Sequence, residues 1–188
     1  MLRSAPTRRM ASGWLLHAAV VLFLWVGMQP ADAAQHATDS SVKAAYLYNF
    51  LPYVDWPPSS SNAAEVPLVV GVAGADAVRA ELQTIVSGRQ VHGRPVTMRA
   101  IGENDPLDGL HAVFVGRDAN ATRVMERLRG RPILVVTDTA QAREAGSMLN
   151  FVPVQGRIRF EAAPAAAERA GLKLGSRLLA VAERVIPP

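Results

Sequence analysis

The chain has no cysteine, and two lysines stand against eighteen arginines. Without cysteine there is no disulfide and no thiol chemistry, so packing alone must hold the fold. The shortage of lysine reads as a bias of base composition rather than of function. Aromatic residues make up 6% of the chain. No block of like charges interrupts the sequence, which removes the electrostatic footprint of a nucleic-acid partner.

Catalytic signatures are equally scarce. No serine sits in a Gly-x-Ser-x-Gly elbow, and no Gly-Lys-Ser/Thr follows a glycine-rich loop. Gly71-Val72-Ala73-Gly74-Ala75-Asp76 follows a predicted strand and opens a helix, yet it lacks the third glycine of a dinucleotide fingerprint. A tight strand-to-helix turn is the expected role. His92 and His111 have no second ligand at metal-binding spacing; His111 is expected to pack at the start of a strand, and His92 to sit in a solvated turn. Glu103, Asp105 and Asp108 share one loop, but Pro106 interrupts them and no terminal glutamate completes a calcium loop. The sequence therefore predicts no catalytic, cofactor or metal site.

What is present begins with Arg3, Arg8 and Arg9, followed by an apolar run from Trp14 to Gly27 broken by His17. Met28-Gln29-Pro30 and then Ala31-Asp32-Ala33 complete the order of a secretory signal. The run is shorter than the roughly 20 residues a spanning helix needs. Residues 1–33 are accordingly expected to be a cleaved signal peptide, and no membrane insertion is expected afterwards. Removing Arg3, Arg8, Arg9 and Asp32 takes 20 basic and 16 acidic residues to 17 and 15, a net of +2. The 155 residues left are enough for one domain with one core.

Residues 34–41 read as a flexible leader and 42–188 as the folded domain. Val42, Tyr46 and Phe50 mark the apolar stripe of a first helix, capped by Asp39–Ser41 and stopped by Pro52. Asp55 to Asn62 reads as a loop. Strands are expected at Pro67–Ala73, Pro95–Ile101, Leu110–Val115 and Pro132–Thr137, with helices at Asp76–Val86, Asn120–Leu128 and Ala140–Ala145. Apolar strands alternating with helices predict an α/β domain with a largely parallel sheet flanked by helices. A hairpin of Met148–Val154 and Gly156–Ala162 should follow, with Arg157, Arg159 and Glu161 on its wet face. A final helix is expected from Pro164 to Val185, interrupted near Gly171 and Gly175. Its core stripe would be Leu174, Leu178, Val181 and Val185, and its basic face Lys173, Arg177 and Arg184.

Two stretches carry a resemblance. Val42-Lys43-Ala44-Ala45-Tyr46-Leu47-Tyr48-Asn49-Phe50 with Tyr53-Val54-Asp55-Trp56-Pro57, and Gly156-Arg157-Ile158-Arg159-Phe160-Glu161 with Ala170-Gly171-Leu172-Lys173-Leu174 and Ser176-Arg177-Leu178-Leu179, resemble the two ends of the YfiR-like family of periplasmic proteins. The chain departs from that pattern in carrying Ala163 for a usual Asn, Gly175-Ser176 for Ser-Ser, and none of the paired cysteines some members have. The resemblance implies a non-catalytic periplasmic repressor that binds the sensory portion of an inner-membrane diguanylate cyclase and lowers cyclic di-GMP and biofilm formation. It also implies a homodimer. Trp56, Glu161 and Arg177 are the expected partner-binding residues, since desolvated Trp and Arg anchor interfaces. The alternative is a periplasmic small-ligand binding module, with its crevice at the carboxyl ends of the strands.

Overall fold

Ala31–Phe50 forms the first helix (α1), which starts well before the expected Val42. The leader expected at 34–41 is thus helical in its backbone, because four alanines among residues 31–37 carry strong helix propensity. Pro52 ends the helix as expected, and the chain leaves through one 3-10 turn, Leu51–Tyr53. This architecture comes from a computed structural model that describes residues 31–57 and 66–187, with side chains from Thr38 onward. Of the signal segment expected at residues 1–33, residues 1–30, including Trp14–Gly27, lie outside the described residues, and Ala31–Ala33 begin α1.

The remaining elements follow in chain order: Val54–Asp55 (β1), Leu68–Ala73 (β2), Asp76–Val86 (α2), Gln90–Val91 (β3), Arg94–Ala100 (β4), Ala112–Val115 (β5), Ala121–Leu128 (α3) and Leu134–Thr137 (β6). Then come Ala140–Glu144 (α4), Leu149–Val154 (β7), Arg157–Ala162 (β8), Pro164–Arg169 (α5), Lys173–Leu174 (β9), Ser176–Ala180 (α6) and Arg184–Val185 (β10). Asn120 caps α3 by accepting from the Arg123 amide, as its side chain predicts.

Eight strands make one sheet in the order β10-β8-β7-β6-β5-β2-β4-β3. Pairing is parallel from β4 across to β7 and between β8 and β10, while in this sheet the β3–β4 and β7–β8 hairpins are antiparallel. The fold class is therefore the expected one, a mixed α/β domain with a mostly parallel sheet flanked by helices. The four residues of β5 and the four of β6 are all buried, which is why their sequences are continuously apolar rather than alternating.

Register assigns the faces. Phe114, Val136, Leu149 and Ala162 are successive cross-strand partners, and Phe151 faces Phe160 two residues along. That face receives α1: Phe50 meets Phe160 edge-on at 4.8 Å, and Tyr46 lies within 6 Å of Phe50, Phe151 and Phe160. The opposite face carries Val135, Thr137 and Asn150 and lies under α3 and α4.

The turn at Gly74 is explained by packing. Its φ is +58°, and a Cβ there would lie 2.0 Å from the Ala119 amide nitrogen. The β2–α2 turn and the segment after β5 pass so closely that only glycine fits.

The C-terminal segment departs from expectation. No helix runs from Pro164 to Val185. Gly171 adopts φ +77° and ends α5, with the Leu172 amide bonded back to Ala167. Leu174 then pairs with Val54 of β1, and Arg184–Val185 adds an edge to β8. Leu174 and Leu178 are buried, but Val181 is 65% exposed and Val185 44%. The anticipated stripe breaks because its four members sit on a strand, a helix, a turn and another strand.

Candidate functional site

The segments that close the two ends of the domain meet in space. β1 pairs with β9, the Gly175 amide donates to the Tyr53 carbonyl at 2.8 Å, and Tyr46 and Phe50 pack on Phe160. Arg177 is exposed beside this junction, at a shallow cleft with Pro52, Tyr53 and Asp55.

Glu161 occupies a different place from the wet strand face expected of it. Its side chain is 4% exposed, because β10 extends the sheet beyond β8 and Arg143 of α4 reaches over the strand. Arg143 Nη1 lies 3.2 Å from one carboxylate oxygen, and Arg184 Nη2 donates to the other. Register adds Thr137, Asn150, Glu161 and Arg184 as successive partners across β6, β7, β8 and β10. The Thr137 hydroxyl donates to Asn150 Oδ1 at 2.8 Å. A row of polar side chains thus crosses four strands at one level and ends in a carboxylate held between two guanidinium groups. Burial pushes the Glu161 carboxyl up, but hydrogen bonds and charge from Arg184 and Arg143 outweigh it and hold the group below its ordinary value. A second ion pair, Lys43 to Asp138 at 2.7 Å, ties α1 to the carboxyl end of β6.

Trp56 is half-buried beside the core. Its indole nitrogen donates to the His111 carbonyl at 2.9 Å, and its ring meets the His111 ring edge-on. Replacing Trp56 by Phe should lower unfolding free energy by about 1 kcal/mol, through one lost hydrogen bond, as measured by urea denaturation. An unchanged midpoint would show that this bond contributes nothing. Among the described residues no hydrogen bond, ion pair or ring contact joins Trp56, Glu161 and Arg177 to one another.

His111 is 4% exposed; the Val69 amide donates to Nδ1, and Arg94 Nη2 lies 2.9 Å from Nε2. His92 is exposed, with Nε2 3.2 Å from the Pro52 carbonyl. The acidic loop is held by arginines of α3 and the turn after it, Arg123 to Glu103 at 3.5 Å and Arg131 to Asp108 at 3.0 Å. Among the described residues no group of three or more His, Cys, Asp or Glu is placed to hold a metal ion, and no helix is long and apolar enough to cross a membrane.

Sequence reasoning missed Arg143 and Asn150 altogether and placed Arg184 on a helix. A signal was available: Asn150 and Glu161 are polar interruptions in strands whose neighbours are apolar, and such residues need partners when buried.

Together these features define a single α/β domain whose buried polar groups tie its elements to one another. A family model described as YfiR/HmsC-like matches residues 40–183, and the chain belongs to that family. The family is one of periplasmic regulators of diguanylate cyclases, regulatory rather than catalytic. No curated protein matches the chain.

Proposed function

We propose that the chain, after loss of residues 1–33, is a periplasmic repressor whose folded domain, 42–188, binds the sensory portion of an inner-membrane diguanylate cyclase as a homodimer. Binding holds the cyclase inactive, lowering cyclic di-GMP and biofilm formation, and the chain itself performs no chemistry. The observation that carries this reading is the placement of exposed apolar side chains. Four large ones are exposed among the described residues, and three of them, Tyr53, Val181 and Val185, lie on or against the C-terminal segment. Arg177 shares a shallow cleft with Tyr53, and Arg184 adjoins Val185 on β10. Exposed apolar groups beside arginine are common anchors of protein interfaces.

In this reading Arg177 touches the partner and Glu161 acts indirectly, by fixing Arg184 and the edge strand β10. Trp56 fixes the chain at the end of β1 to the His111 carbonyl. Deleting the gene should raise cyclic di-GMP and surface attachment. Complementation with Val181→Asp combined with Arg177→Glu, both exposed positions without an ion pair among the described residues, should leave the protein folded and fail to restore repression. A roughly tenfold or greater loss of affinity for the cyclase's sensory segment is expected from removing an interface anchor. Full repression by the double variant would exclude this surface.

A further inference from the structure

On the sheet face opposite α1, an open cleft of about 470 Å3 lies between α3, α4 and α5. Its volume falls within the usual range for small-molecule sites. Met125, Leu128, Val135 and Met148 line it, each at most 6% exposed. Two of the three methionines among the described residues are here. Methionine is unbranched and polarizable, and shapes itself to varied apolar guests. The expected crevice at the carboxyl ends of the strands is a different place, since this cleft centres on Val135 and on Met148, whose amide donates to the Val135 carbonyl.

The mouth is charged and unpaired. Arg129 follows α3, and Arg169 closes α5. Both line the cleft, both are exposed, and neither makes a side-chain ion pair or hydrogen bond among the described residues. Glu144 is the single acid on the rim among the described residues. Arg157, Arg159 and Arg177 are likewise exposed without such a partner among the described residues, but Arg129 and Arg169 share one apolar opening. We infer that this cleft binds a small apolar carboxylate, its chain on the methionine floor and its carboxylate between Arg129 and Arg169. Guanidinium forks match carboxylates in geometry as well as charge.

The cleft also shares α4 with the ion-pair row. Glu144 stands at its rim, while the preceding Arg143 grips Glu161. An occupant that displaces α4 would loosen Glu161 and, through Arg184, the edge strand β10. This coupling rests on the function proposed above; the binding does not.

Calorimetric titration of the purified protein with octanoate, octanol and octylammonium tests the site. Saturable octanoate binding is expected, with octanol weaker and octylammonium weakest. Arg129→Glu combined with Arg169→Glu should weaken octanoate roughly fivefold or more, the effect of losing exposed charge pairs. Ala166→Trp, which fills the cleft wall, should weaken all three ligands. The absence of saturable binding, equal binding of the three, or octanoate affinity unchanged by charge reversal would each overturn the inference. Octanoate binding without any effect on repression would leave the site standing and remove the coupling alone.

Discussion

Phe160→Ala should cost about 4 kcal/mol of unfolding free energy. Phe160 is 1% exposed. It is the cross-strand partner of Phe151 and meets Phe50 and Tyr46 of α1 edge-on. Truncation therefore opens a cavity where a helix crosses a hairpin, with rigid aromatic rings on all sides that cannot collapse into it. The loss is a large share of the 5–15 kcal/mol that stabilises a typical domain. Phe160→Leu keeps most of the volume and should cost about 1–1.5 kcal/mol. Urea denaturation of both variants checks this; equal losses would mean that ring volume is not what joins α1 to the sheet.

The second large effect is expected at Glu161. Glu161→Gln leaves two guanidinium groups facing a neutral amide and should cost about 2 kcal/mol near neutral pH. That is less than the 3–5 kcal/mol of a fully buried broken pair, because Arg143 and Arg184 retain contact with water. The sign of the pH dependence follows from the direction of the shift. The carboxyl is held below its ordinary value in the folded state, so the unfolded chain takes up its proton first as pH falls. Its contribution to stability is fully present above the unfolded value and is lost as pH drops through the folded one. The gap between the wild-type protein and Glu161→Gln should accordingly close on acidification. A gap that stays constant into strong acid would show that the carboxylate charge does not supply the stability.

These two residues are neighbours in sequence and face opposite sides of one strand, and together they locate the division of labour in the fold. Phe160 joins the hairpin to α1, and so brings the opening and closing segments of the domain together. Glu161 joins the same hairpin to α4 and β10 on the other side, where the surface proposed for the cyclase begins. A binding event at the C-terminal edge and a change in α4 would be felt by the same strand.

Much of the fold was legible from local pattern. β5 and β6 are short apolar runs, and burial on both faces demands such runs wherever a parallel sheet is covered by helices. The start of α3 was visible in Asn120, whose side chain supplies the capping oxygen whatever the rest of the chain does. The C-terminal segment was not legible. The four-residue spacing of Leu174 and Leu178 suits a helix, yet Leu174 is drawn into pairing with Val54, more than a hundred residues away. Local spacing holds no information about so distant a strand.

The candidate site divides in the same way. The sequence by itself determined that the chain carries no cysteine, no nucleophile elbow and no histidine pair at metal-ligand spacing, because those are matters of residue identity and spacing. It also carried the end motifs that mark the family. Only the tertiary structure decided that Glu161 lies inside rather than in water, since alternation along a strand distinguishes two faces but not which of them another element will cover. A carboxylate gains its partners, its shifted titration and its exposure from Arg143 and Arg184, and those come from a helix and an edge strand that meet β8 only when the chain is folded.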